Sequence, residues 1–424
     1  MPNTHMRIRW RAALAAAALL AGCAADPVGH KTRGTVTSDT GTTTTETDCA
    51  SSDSDLDGVD DCNDVCDGYN DIADHDADAI PDGCDEDLAV CATVEDCDDG
   101  LACTVNTCDE DGLCATAPEG QCPWPAEAPG AATNLTSVEG PFLNDFHYNL
   151  SGAVWNPVSR QLWVCTNNGS KVWAMSEGGN LGMEIANQNG ERGEWSNNDG
   201  FGDSEGLTFV DFHQTEMLYV LDEGRATVMQ WDFSDYAGNG VLIQEWDLRQ
   251  WLPGGGSEGI TFVPDAFLQG QGFTDKDGQL YTSTMGMGGL MLVGHQGGGL
   301  VHAMDLDPAS GDALWVGTYF TGANETAGLE FDRSTGSLYI WHGGDAMYLE
   351  RTRLSSSPVQ DGRKLDTVLE YEGPGEVVLV GSENLEGFAL VSNDDCADGR
   401  RGAFTTTDGG NFWSLLWYQE FPCE

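Results

Sequence analysis

The chain has 424 residues, more than one compact unit usually needs, and carries 70 Asp and Glu against 18 Lys and Arg, a formal net charge of -52. A surface so acidic repels phosphate, so nucleic acid is excluded as a partner; beyond Glu119 alone there are 43 acids against 13 Lys and Arg. Composition also divides the chain. The part up to Pro125 is rich in Cys, Asp, Thr and Gly, whereas the remainder holds nearly all the Trp, Phe and Leu that fill a core.

The first segment, 1–22, places Arg7, Arg9 and Arg11 before an apolar run from Ala12 to Ala21, too short to span a bilayer and of signal-peptide length. It ends in "LAGC", which resembles a bacterial lipobox. The resemblance implies cleavage before Cys23, acylation of its sulfur and attachment to a membrane; Ala24, where inner-membrane retention usually needs Asp, favours the outer membrane. Residues 23–48, "CAADPVGHKTRGTVTSDTGTTTTETD", lack apolar periodicity and read as a disordered Thr-rich tether.

Residues 49–90 pose a charge problem. No Lys or Arg occurs from Gly34 to Ser159, yet 25 acids lie between Glu46 and Glu119, so the counter-charge must come from outside the chain. Asp53, Asp55, Asp57, Asp61 and Asp64, with Gly58 for a sharp bend, form D-x-D-x-D-G-x-x-D-x-x-D, and Asp74, Asp76, Asp78, Asp82 and Asp85 repeat it with Ala79 replacing the glycine. Alternating carboxylates around one turn supply the six to eight hard oxygens that calcium takes. With "DDCNDVCDGYNDIAD" between the copies and "AIPDGCD" at the end, the stretch resembles thrombospondin type 3 repeats, which implies a Ca²⁺-wrapped stalk with almost no hydrophobic core.

Ten cysteines lie between Cys49 and Cys122. In an exported, core-poor segment they read as disulfides; zinc is the rival reading, but the spacings are irregular and His75 is the nearby His. Residues 91–131 hold "CDDGLACTVNTCD", similar to Cys-rich repeats named in slime-mould surface proteins, which implies a small disulfide module without chemistry; "PWPAEAPG" follows as a stiff hinge. Cys396 and Cys423 are expected to pair, leaving Cys165 a buried free thiol.

From 132 to 424 one phrase returns: "SGAVWNP", "EGLTFVD", "EGITFVP", "AGLEFDR" and "EGFALVS", each followed by a turn and further short apolar strands. Four strands per unit and no convincing helix predict an all-β fold, a single β-propeller of five blades, with six as the alternative because the third unit carries "GQLYTSTMG". The last unit lacks a fourth strand, and "AATNLTSVE" is expected to supply it and close the ring. The phrases "SGAVWNPVSRQLWVCTNNGSKVWAMSEGGNLGMEI" and "DSEGLTFVDFHQTEMLYVLDEG" resemble the SdiA-regulated family of bacterial propellers, relatives of phytase-like and esterase-like ones, which implies an exported propeller.

Residues opening the first strands converge at one end of a propeller channel, so Glu205, Glu258 and Glu386 are candidate metal ligands, with backbone N–H acceptance as the structural alternative. Asn167, Asp222, Glu223, His295, His342 and Asp408 end the second strands and are expected to share a rim. The reading is a calcium-binding, lipid-anchored surface protein, periplasmic or at the cell surface, whose propeller binds an unidentified ligand or protein, with no catalytic residue assigned. The alternative is a metal-dependent hydrolase of phosphate esters, carboxylic esters or lactones, with His295 or His342 as base.

Overall fold

The computed structural model describes Cys66 and residues 91–424, apart from 92, 98–100, 109–113, 138–149, 168–170, 186–193, 197–201, 236–239, 253–254, 345–346, 375–384 and 408–413. Its elements are almost entirely strands, in a propeller-like all-β arrangement. In chain order they are β1 (Thr104–Cys108), β2 (Cys114–Pro118), β3 (Thr133–Asn134), β4 (Leu150–Asn156), β5 (Gln161–Thr166), β6 (Lys171–Glu177), β7 (Met183–Ile185), β8 (Glu194–Ser196), β9 (Ser204–Thr208), β10 (Met217–Asp222), β11 (Thr227–Asp232) and β12 (Val241–Asp247). There follow β13 (Ser257–Pro264), α1 (Asp265–Gly270), β14 (Gly289–His295), β15 (Leu300–Leu306), β16 (Ala313–Phe320), β17 (Gly328–Asp332), β18 (Ser337–His342), β19 (Tyr348–Val359), β20 (Gly362–Glu372), β21 (Leu385–Leu390), β22 (Arg400–Thr407) and β23 (Leu415–Pro422).

Strands that follow one another in the chain pair antiparallel, giving β4-β5-β6-β7 with β8 beside β6, and β9-β10-β11-β12. The orders β13 to β16 and β17 to β20 join through a short parallel pairing of β16 with β20 into eight strands. Residues 133–134 supply the missing strand of the last sheet: β3 pairs with β23, Asn134 opposite Leu416, as the sequence suggested. The added material of the third unit forms α1 and a single bridge, Thr274 to Leu280, rather than further paired strands. This short helix is the departure from a helix-free reading; Pro264, with φ −61°, ends β13 where the helix begins.

The repeated phrase has a geometric reason. Its glycine sits where neighbouring inner strands touch backbone to backbone. A β-carbon at Gly152 would stand 2.7 Å from Gly206 Cα, one at Gly206 2.9 Å from Ile260 N, one at Gly259 2.6 Å from Leu329 N and one at Gly328 2.7 Å from the Glu386 carbonyl oxygen. One at Gly387 would meet the Ser151 carbonyl, so the contacts run round and return to β4. At the end of three of the phrases a side chain makes the next turn: Asn156 Oδ1 accepts the N–H groups of Val158 and Ser159 at 3.0 and 2.9 Å, Asp211 Oδ1 that of His213 at 2.8 Å, and Asp332 Oδ1 that of Ser334 at 2.9 Å.

Aromatic cores fill the gaps between sheets. Trp163 stacks on Trp195 at 5.0 Å between the sheets of β4 and β9, Tyr219 on Trp246 at 5.9 Å beside β13, and Phe267 meets Phe331 at 4.9 Å. Trp341 stacks on Phe388, and Trp155 on Phe404, each at 5.8 Å, which completes the circuit.

Six cysteines of the N-terminal module pair as Cys91–Cys108, Cys97–Cys114 and Cys103–Cys122, and Cys66 is also disulfide-bonded. Cys396–Cys423 forms as expected and Cys165 is free and buried. The Pro-rich stretch anticipated as a hinge is docked. Cys122 exchanges backbone hydrogen bonds with Glu370 and Glu372 on the edge of β20, Trp124 packs on Tyr418 at 5.2 Å, and the Glu127 carboxylate accepts the N–H groups of Gln419 and Glu420.

The inner-strand contact makes a direct prediction. Gly259→Ala must push two backbones apart and should cost about 1–3 kcal/mol in chemical denaturation, as overpacking does. Gly270→Ala, with nothing within 4 Å of the added carbon, should stay within about 0.5 kcal/mol of the parent. Equal stability of the two variants would refute the tight ring.

Candidate functional site

Because the inner strands approach so closely, the residue before each glycine is carried to the same end of the ring. Glu205, Glu258 and Glu386 are all buried, and one carboxylate oxygen from each lies within 4.8 Å of the others. Ser151, opening the first phrase, donates to Glu205 Oε2 at 2.5 Å and to the Glu205 carbonyl at 3.0 Å. The space among these inner strands, lined by Glu205, Glu386 and the facing glycines, holds about 10 Å³, room for roughly one water-sized body.

Ala327 breaks the glutamate series, and Glu325 stands in for it electrostatically. Burial first, then the charges of Glu205, Glu386, Glu223 and Glu325, push the Glu258 carboxyl from its ordinary 4.5 up to about 10. Every charge named there is negative. The same cluster acts on Cys165, whose thiol burial and then Glu205 push well above the usual range, so the thiol is inert.

A second carboxylate group shares Glu205: oxygens of Asp203, Glu205 and Glu223 also lie within 4.8 Å of one another. Glu223 accepts the Gly256 N–H, and burial above all, together with Asp203, raises its carboxyl. Asp203 and Glu325 were missed in the sequence. They occupy one equivalent position, two residues before the phrase openers Glu205 and Ala327, and that recurrence was the available signal. Cys91, Cys97 and Cys114 also lie close together, but each is in a disulfide, so they are no metal ligands.

The expected rim divides. Asp222 is buried and serves a turn: it accepts the N–H groups of Gly202 at 3.1 Å and Arg225 at 2.9 Å. His342 lies between strands with both ring nitrogens engaged, Nδ1 at 2.7 Å from the Glu325 carbonyl and Nε2 at 2.8 Å from Glu350 Oε2. Burial alone would raise Glu350, but the hydrogen bond and charge of His342, with Thr367 and Gly322, hold that carboxyl below its ordinary value. Strand alternation turns His342 inward, which removes it as a base. His295 is partly exposed beside Glu223, and its Nδ1 accepts the Gly297 N–H at 2.9 Å; its ring stands 5.7 Å from His302, whose imidazole burial lowers to about 4. Asn167 follows β5, half-buried. Cys23, Asp53, Asp55, Asp57, Asp61, Asp64, Asp74, Asp76, Asp78, Asp82, Asp85 and Asp408 lie outside the described residues.

No family model matches the chain. No curated protein matches it in sequence. Among solved structures it is similar to a chain in the crystal structure of a nidogen/laminin complex, with 10% identity and a TM-score of 0.35, over 65% of this chain and 85% of that one. It is also similar to a protein from Lactobacillus plantarum, with 11% identity and a TM-score of 0.33, over 63% and 67%. Likeness at this level transfers neither ligand nor activity.

The buried carboxylates predict a pH profile. A carboxyl raised in the fold keeps its proton there, so its contribution to stability is complete below about pH 4.5 and is lost as pH rises towards about 10. In chelator, stability should therefore fall across that window, and Glu258→Gln should make the fall shallower by up to about 1.4 kcal/mol per pH unit. Parallel profiles for the two proteins in denaturant titrations would remove Glu258 from the cluster.

Proposed function

We propose that the chain is an exported, lipid-anchored calcium-binding protein of the outer membrane. In this reading Cys23 carries the anchor, a calcium-wrapped stalk follows, and a five-bladed propeller presents a binding surface to a ligand or protein outside. The repeated phrases, each opening a set of four strands once β3 is counted with the last, support five blades over six.

The observation that carries the proposal is the convergence of Glu205, Glu258 and Glu386, buried, within 4.8 Å and surrounded by further acids. Carboxylates so placed either hold protons or share a cation, and a cation restores the charge without leaving buried groups neutral. The small space between the strands suits a bare ion rather than an organic molecule. Oxygen donors alone, with no thiolate or imidazole in the triad, favour a hard cation such as calcium. No step of a reaction is required of this centre. A bound ion there would pin three inner strands to one another and fix the ring that carries the binding surface.

Metal analysis of the full chain after mild dialysis tests the propeller centre. Calcium at excess should raise the melting temperature by several degrees over chelator, as mass action on a native-state site requires, and Glu205→Gln with Glu258→Gln should abolish most of that rise. Retention of no divalent ion, with no calcium-dependent shift, would sink the proposal for the channel.

The stalk is tested separately by small-angle scattering of the same chain. With calcium removed, the uncompensated carboxylates of Asp53 to Asp85 should repel and the maximum dimension should grow. Unchanged dimensions would leave the segment a plain acidic linker.

A further inference from the structure

At the opposite ends of the inner strands from the carboxylate triad lies a cavity of about 240 Å³, formed where β4, β17 and β21 finish. It is many times larger than the space beside the triad, with room for a compact organic molecule and far more than a bare ion. Its walls are amphipathic: Trp155, Val158, Phe212 and Leu390 on the apolar side, Glu330 and Asp394 on the acidic side.

The charges around it are unequal in their partners. Asp332 is held by a buried ion pair with Arg401, and Asp395 by Arg160 at 2.5 Å. Arg333 donates to the carbonyls of Phe209 at 2.5 Å and Val210 at 2.9 Å, and its guanidinium lies 4.2 Å from the Phe212 ring centre. That leaves Glu330 and Asp394, which among the described residues form no ion pair with Lys or Arg, and His213 as the remaining titratable group of the lining. Glu330 is buried and accepts the Leu390 N–H. Independently of the acids, Trp155, which lines the cavity, is buried with no hydrogen-bond partner for its indole N–H.

The geometry points to a binding site for a small organic amine, its ammonium taken by Glu330 with Asp394 at the rim and its apolar body held against Trp155 and Phe212. An anion is disfavoured by the surplus of carboxyls, and a metal ion by the scarcity of oxygen donors on the apolar wall. Burial first, and then Asp332, raise the Glu330 carboxyl well above the ordinary range, against smaller lowering effects of Leu390, Arg333 and Arg401. Binding pairs the ammonium with the Glu330 carboxylate inside the cavity. This site is distinct from the cation centre proposed above and does not rest on it.

Isothermal titration of the full chain near pH 7.5 with 2-phenylethylamine tests the inference, with 2-phenylethanol and phenylacetate as neutral and anionic counterparts. The amine should saturate one site. The alcohol and the acid should bind at least about tenfold more weakly, and Glu330→Gln, which keeps the side-chain size, should lose a similar factor. Val158→Lys, at a position 49% exposed on the cavity lining, should weaken the amine by charge and bulk without touching the buried acid. Equal binding of the alcohol, no saturation by about 10 mM amine, or undiminished affinity in folded Glu330→Gln would overturn it. So would a gain in amine binding on treatment with chelator, which would move the amine to the carboxylate triad, where it would compete with the divalent ion.

Discussion

Backbone contact between neighbouring inner strands is the constraint on which the rest of this molecule depends. At Gly152, Gly206, Gly259, Gly328 and Gly387 the strands come so close that no β-carbon fits without moving main chain. That approach brings the preceding side chains together, and three of them are glutamates. The electrostatic cost of the cluster is thus a consequence of how the ring closes. The stacked aromatic layers between sheets, such as Trp163 on Trp195 and Trp341 on Phe388, supply the apolar burial that offsets it.

Acidic residues serve several physical ends in this chain, and burial with hydrogen-bond supply separates them. Asp211, Asp222 and Asp332 satisfy backbone N–H groups in turns. Asp305 does the same for the long segment after α1, accepting from Tyr281, Thr284 and Met285. Glu350 is ionised by its contact with His342, whereas Glu258 and Glu330 have mainly burial and like charge around them and are pushed the other way. Glu258 and Glu330 stand towards opposite ends of the inner strands.

Closure is reinforced from both sides of the sequence. The pairing of β3 with β23 uses residues from far upstream, and Trp124 inserts among Trp341, Tyr418 and Phe421 where the last two sheets meet. At that junction Glu424 contacts Ser337, Tyr339, Arg351 and Arg401, while Cys396–Cys423 ties the final strand back. The disulfide module is consequently part of the same packed body as the sheets, joined through the edge of β20.

Much of this was legible in the residues. Short apolar strands between turns, the recurring Glu-Gly phrase and the unpaired "AATNLTSVE" are local patterns, and they determined the all-β class, the order of the sheets, the closing strand and the glutamate triad. Which partner a group meets across space was not written locally. Six cysteines allow many pairings, and the interleaved set seen from Cys91 to Cys122 is chosen by the folded path. His342 and His295 end equivalent strands in sequence, yet one is enclosed by Glu350 and the other is partly exposed. Glu330 read as one more strand residue; only packing against Leu390 and beside Asp332 makes it a buried acid at a cavity. Local sequence determines which residues form a buried strand, while the meeting of faces from distant strands decides charge state and access, since both depend on what solvent is excluded.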